Sequence, residues 1–215
     1  MKYYNADGSY GGMCGNGGRC AALYCFSAGI ANRSHTFEAV NHHYRAAVKR
    51  NSVALRMIEP RNLTLDISLK TSFGVIPAHF VNTGAPHVVI DAHRIKRQFQ
   101  KLDDVPVLVL GREIRNHQMF HPEGTNVNFI EILGAKSIRM RTYERGVEAE
   151  TLACGTGAVA TAIIASAKHG MISPIYIHTR SKVTLRVAFK KNGNNIDEVI
   201  LSGPAKVTFE GIVEI

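Results

Sequence analysis

Apolar and small residues run almost without interruption through two stretches of the chain, 17–31 and 157–169. Arg19, Cys20, Ala21, Ala22, Leu23, Tyr24, Cys25 and Phe26 mark the first, with Gly29 near its end. Ala158, Val159, Ala160, Ala162, Ile163, Ile164, Ala165 and Ala167 mark the second, and Gly170 follows as a stop. Both read as helices that are apolar nearly all round, a pattern that belongs inside a fold rather than on its surface. The rest alternates in the manner of strands: 36–48, 53–58, 63–69, 73–81, 88–90, 126–133, 137–142, 175–178, 183–189, 199–201 and 205–215. Turn chemistry punctuates them at Pro122-Glu123-Gly124, Asn192-Gly193-Asn194 and Ser202-Gly203-Pro204. A short helix is expected over 104–117. Many strands around two buried helices predict an α+β fold with two similar halves.

Composition narrows the class. Hydrophobic residues are 45% and charged residues 20% of the 215, as in a water-soluble domain rather than a membrane or disordered chain. No apolar run approaches the roughly 20 residues needed to span a bilayer. The polar opening Tyr4-Asn5-Ala6-Asp7-Gly8-Ser9 carries no signal-peptide pattern. Four cysteines (Cys14, Cys20, Cys25, Cys154) are too few for a disulfide framework and suit a reducing cytoplasm. The net charge of +9 is spread over short clusters with no nucleic-acid-binding motif, which favours a solvated basic surface over nucleic-acid binding.

The chemistry concentrates at two cysteines in nearly the same context. Cys14 lies in Met-Cys-Gly-Asn-Gly and Cys154 in Ala-Cys-Gly-Thr-Gly, each opening one of the apolar helices. A cysteine at a helix N-terminus faces unpaired N–H groups and the positive end of the helix dipole, which favour thiolate. The glycines let a ligand approach the amides of Gly15, Asn16, Gly155 and Thr156, an anion site suited to a carboxylate. Two such elements suggest a carboxylate clamped between helix ends with one thiol on each face of the adjacent carbon. One thiolate would remove the Cα proton while the opposite thiol supplies another. The amides would stabilise the charge that develops on the carboxylate. Cys20 and Cys25 fall inside the first helix and read as small buried hydrophobes.

At these residues the chain resembles the diaminopimelate epimerase family. Asn5-Ala6-Asp7-Gly8-Ser9 followed by Cys14-Gly15-Asn16-Gly17-Gly18-Arg19-Cys20 is similar to the family's first cysteine motif. Thr142-Tyr143-Glu144-Arg145-Gly146 followed by Glu150-Thr151-Leu152-Ala153-Cys154-Gly155-Thr156-Gly157 is similar to its second. Weaker matches occur at Asn82 to His87, Gly111-Arg112-Glu113 and Asn126-Val127-Asn128-Phe129. The resemblance implies cofactor-independent epimerisation of LL- to meso-diaminopimelate, for lysine and peptidoglycan precursors, without metal. It assigns Cys14 and Cys154 as the acid/base pair and places His87 and Glu144 in support of the catalytic step. It assigns Asn5 and Asn126 to substrate binding, and Glu144 with Arg145 to the substrate's amino and carboxylate groups. It implies two pseudo-symmetric domains, each a curved sheet or barrel around a central helix, with the site in the cleft. Domains are expected at 1–61 with 205–215 returning, and at 62–204. A homodimer is compatible with the resemblance.

Two departures stand out. Ala85 occupies a position where the family usually carries a substrate-contacting asparagine, with Asn82 the neighbouring amide. The family's usual N-terminal segment has no counterpart, so a chain beginning at an internal methionine is expected. Three other enzymes come near. A proline or hydroxyproline racemase also uses a cysteine pair, but the Asn-Ala-Asp-Gly-Ser and Tyr-Glu-Arg-Gly contexts argue against it. A phenazine-biosynthesis-type isomerase lacks the pair. A dinucleotide enzyme is suggested by Gly155-Thr156-Gly157-Ala158-Val159-Ala160, but no acidic residue falls between Glu150 and Asp197. Zinc on Cys14, Cys20 and Cys25 fails on spacing. The non-enzyme alternative is an inactive truncated scaffold.

Overall fold

The computed structural model describes residues 1–4, 8, 10–50, 52–95, 99, 101–193 and 195–212. Its symmetry is visible in element order. Helix α1 (Gly15–Ser27) leads into strands β1 (Ser34–Ala39), β2 (His42–Lys49) and β3 (Ser52–Arg56). Strands β4 (Arg61–Thr71), β5 (Gly74–Asn82) and β6 (Pro86–Asp91), helix α2 (Val107–Arg115), and strands β7 (Asn126–Gly134), β8 (Ser137–Glu144) and β9 (Ala149–Thr151) follow. Helix α3 (Gly155–His169) then leads into β10 (Ile175–His178), β11 (Thr184–Asn192) and β12 (Asn195–Pro204), repeating the pattern of one helix and three strands. The strands form one sheet ordered β1-β2-β3-β12-β11-β10-β8-β7-β6-β5-β4, with β9 paired to β8. Strands β3 and β12 pair antiparallel, so the two repeats meet at the join. The fold is α+β with pseudo-symmetric halves.

Local chemistry explains the elements. The hairpin β1–β2 turns on Val40 and Asn41, both at positive φ (53° and 59°) as a tight two-residue turn requires. Alternation in β6 and β7 points Val88, Ile90, Val127 and Phe129 toward α2, in a second core with Leu110, Ile114 and Tyr143. Val89 and Ile130 point the other way, into the core around α3. Residues Gly155 through Ser166 of α3 are all buried. Each large aliphatic there, such as Val159, Ile163 and Ile164, contributes roughly 1.5–3 kcal/mol by leaving water. Gly170 ends the helix at φ 66°, the left-handed stop its sequence predicted.

Several expectations are corrected. Helix α1 is not buried all round: Gly15, Gly18, Arg19 and Ala22 are buried, while Cys20 and Tyr24 are exposed. Among the described residues, α1 packs against β2, β3, β12 and the end of α3, which cover one face only. Ser202-Gly203-Pro204 is the end of β12 rather than a turn, paired with Ala54, Val53 and Ser52. Glycine is there for close approach, because a Cβ on Gly203 would sit 2.5 Å from Leu185 Cδ2. Residues 205–212 form no strand. The polar strand β9 offered no alternation to find. Among the described residues, no helix is long and apolar enough to cross a membrane.

Candidate active site

Both predicted cysteines are helix N-caps. Cys14 (φ −106°, ψ 117°) and Cys154 (φ −121°, ψ 117°) hold the same extended conformation before α1 and α3. Each Sγ accepts a hydrogen bond at 3.4 Å from the third helical amide, Gly17 in one case and Gly157 in the other. The thiols thus stand where serine, threonine, asparagine or aspartate usually cap, and the same N–H groups favour charge on sulfur. The glycine after each cysteine has a mutual cause. A Cβ on Gly15 would lie 3.2 Å from Gly155 Cα, and one on Gly155 would lie 3.1 Å from Gly15 Cα. The helix ends meet backbone to backbone, and Asn16 Nδ2 ties them by donating to Ala153 O at 3.1 Å.

A cavity of about 250 Å³ opens at this junction, lined by both cysteines, Glu144, Arg145, Thr156 and Tyr3, among others. Gly15, Asn16 and Gly155 also line it. The side chain of Asn16 is committed to Ala153 O and to Arg19 Nη2 (2.8 Å), which leaves its backbone N–H as the anion donor. Asn126 is not on the wall. Its Nδ2 donates to Pro86 O (3.0 Å) and its Oδ1 accepts from the Arg145 N–H (2.9 Å), so it holds the backbone that presents Arg145. Asn5 lies outside the described residues. Asn82 Oδ1 accepts from the Gly84 N–H (3.0 Å) in the turn before Ala85. Among the described residues, no group of three or more His, Cys, Asp or Glu is placed to hold a metal ion.

The thiols sit in unlike surroundings. Cys154 is buried and Cys14 half-buried. Burial pushes the Cys154 thiol far above its ordinary range, and Glu144 beside it acts in the same direction. Burial also raises the Glu144 carboxyl. On the other side, Tyr3 hydrogen-bonds Cys14, and the sulfur holds the phenol above its usual range, with burial adding to it.

His87 is fully buried behind Thr156, not on the cavity wall. Its Nε2 is 2.9 Å from Thr156 Oγ1, and its Nδ1 is 3.1 Å from Asn128 Nδ2. Thr156 in turn reaches Cys154, Oγ1 to Sγ 3.5 Å, and its carbonyl accepts from the Thr83 hydroxyl at 2.9 Å. Burial, then Arg145, lowers the His87 pKa to about 3, so the imidazole is neutral near neutral pH. In the unfolded chain it titrates near its ordinary value, so between about 6.5 and about 3 the unfolded state alone binds the proton. Stability is fully present above that window and falls as the pH drops through it, by roughly 2 kcal/mol at about pH 5. Thermal unfolding should therefore show a steeper loss of Tm from about pH 7 to about pH 5 in the wild type than in His87→Gln. Equal slopes would mean that His87 takes up a proton in the folded state.

Sequence reasoning passed over Asn128 and Tyr3. Asn128 had a signal: it shares the inward face of β7 with Asn126, and a polar side chain at a core-facing strand position needs partners. Tyr3 had none, since an aromatic near a chain start is unspecific.

The chain is similar to known proteins over most of its length. The sequence profile of the family described as diaminopimelate epimerase matches residues 79–208. The diaminopimelate epimerase of Aquifex aeolicus is 38% identical over 98% of this chain and 72% of its own length. That of Hydrogenobaculum sp. is 40% identical over 98% and 73%, and that of Chlorobaculum tepidum 39% over 99% and 79%. Among solved structures, a probable proline racemase from Agrobacterium radiobacter K84 matches with TM-score 0.66 at 18% identity, covering 93% of this chain and 68% of its own. A hydroxyproline epimerase from Agrobacterium vitis gives 0.68 at 18%, covering 90% and 65%. Identities this low show a shared fold and nothing finer.

Proposed function

This chain belongs to the diaminopimelate epimerase family, and on that premise we propose that it interconverts LL- and meso-diaminopimelate with Cys14 and Cys154 as opposed acid and base. The single observation that carries the reading is the reciprocal contact of the two cysteine-capped helix ends at Gly15 and Gly155. It brings two thiols and two sets of first-turn amides to one cavity.

The α-carboxylate takes the amides of Gly15, Asn16, Gly155 and Thr156. One thiolate removes the Cα proton, and the C–H electron pair is delocalised toward the carboxylate. The amides point where that charge grows and need no reorganisation as it forms. The opposite thiol gives its proton to the other face of the carbon. The substrate is inverted, and thiol and thiolate have exchanged places, so no proton is gained or lost overall. No pyridoxal phosphate is required. Arg145 pairs with a substrate carboxylate and Glu144 with an ammonium. The free thiols suit a reducing cytoplasm.

Purified protein in deuterium oxide should exchange the Cα proton of diaminopimelate and interconvert its LL and meso forms. Exchange on proline or hydroxyproline but not on diaminopimelate would move the reading to a proline-type racemase. Exchange on none of them would leave a scaffold.

A further inference from the structure

The hydrogen bonds behind Cys154 start from a group with no choice. The Val88 carbonyl can only accept, and Asn128 Nδ2 donates to it at 2.9 Å. The Thr142 hydroxyl donates to Asn128 Oδ1 at 3.0 Å. These two contacts decide which end of the amide is nitrogen. The same Nδ2 faces His87 Nδ1 at 3.1 Å, so that ring nitrogen must accept. A neutral imidazole then carries its proton on Nε2, which points at Thr156 Oγ1 from 2.9 Å and donates to it. The threonine hydroxyl keeps its own proton free to turn toward Cys154 Sγ, 3.5 Å away.

We propose that Asn128 is a positioning residue: by fixing the tautomer of His87, it makes the Thr156 hydroxyl a hydrogen-bond donor to the Cys154 thiolate. The catalytic meaning of the relay rests on the two-thiol reaction above, whereas the proton arrangement can be read without it. In the opposite tautomer Nε2 would accept, the hydroxyl proton would be spent on it, and the thiolate would lose a donor. His87 and Asn128 are fully buried, so water does not substitute at the ring nitrogens. Glycine at position 157 belongs to the same device, because a Cβ there would sit 2.4 Å from Asn128 Oδ1. Among the described residues Cys14 has no matching relay: Asn16 stands in the place of Thr156, with its side chain turned to Ala153 and Arg19. The relay thus serves one thiol of the pair.

The first test needs no substitution. Imidazole nitrogen-15 spectra of the wild-type protein at neutral pH should show His87 as the Nε2–H tautomer; Nδ1–H, or an imidazolium, overturns the proposal. Asn128→Asp places an acceptor at Nδ1 and should convert the ring to Nδ1–H. It should also lower kcat for diaminopimelate by about tenfold to a hundredfold, the worth of one charge-assisted hydrogen bond, with KM little changed. Thr156→Val should lose as much and Thr156→Ser very little. The double variant Asn128→Asp/Thr156→Val should lose no more than Thr156→Val alone, because Asn128 acts through that hydroxyl. Multiplying losses, or full kcat in Thr156→Val, overturns the relay even if Asn128→Asp fails to fold. A wild type that shows Nε2–H but exchanges no proton on diaminopimelate overturns the assigned reaction, not the proton arrangement.

Discussion

Cys14→Ala and Cys154→Ala should each remove epimerisation, with losses of about 10²–10⁴-fold or more, the usual worth of a positioned acid or base. The mechanism needs both faces of the carbon served, so one surviving thiol cannot invert it. The variants should differ in stability. Each loses an N-cap, worth about 0.5–2 kcal/mol when an oxygen cap is replaced by alanine and used here as an upper guide for sulfur. Cys154 is also buried, so its alanine leaves a void against a packed helix end. Cys14 is half-buried and its neighbours can relax. Conversion of the LL to the meso form, followed with thermal unfolding on the same samples, separates the two effects. Full turnover in either folded variant would end the two-thiol account.

Gly157→Ala carries the second large effect, and Gly17→Ala is its control. The two glycines hold the same place after the two cysteines. A Cβ at 157 would lie 2.4 Å from Asn128 Oδ1, and that amide is held by Val88, Thr142 and His87. It cannot step aside without breaking buried hydrogen bonds. A loss of about 1–3 kcal/mol is expected, the range for forcing atoms into a packed core, together with a fall in kcat. A Cβ at 17 meets nothing nearer than 3.5 Å, so Gly17→Ala should leave stability close to wild type. Denaturant midpoints for the pair test this directly. Equal losses would show that helix-start geometry, not the Asn128 amide, demands glycine.

The chemistry of this chain was more legible than its surroundings. The duplicated Cys-Gly-x-Gly announced two N-caps because sulfur, helix start and small residues stand together in sequence. The nearly uninterrupted apolar run of α3 announced a central helix, since its first twelve residues are all buried. Helix α1 misled because its composition is similar, yet burial depends on which strands come to cover it, and α1 has cover on one face only. Gly203-Pro204 misled because glycine beside proline is turn chemistry locally, whereas the glycine makes room for Leu185 on the paired strand β11. His87 was expected to support catalysis, but only the packed structure shows that it reaches Cys154 through Thr156. Hydrogen-bond partners 40 or 41 residues apart leave no trace in spacing, and for that reason Asn128 could not be assigned a partner.

The touching glycines at 15 and 155 work as a gauge block. Peptide groups, whose dimensions are nearly invariant, set how far apart the two helix starts stand, with the Leu201 side chain packed beside the contact. The gap between the sulfurs inherits that rigidity, so a carbon placed there meets jaws of fixed opening. On the two-thiol reading, preference for one amino acid over another is written around the rim, where Glu144 and Arg145 line the same cavity.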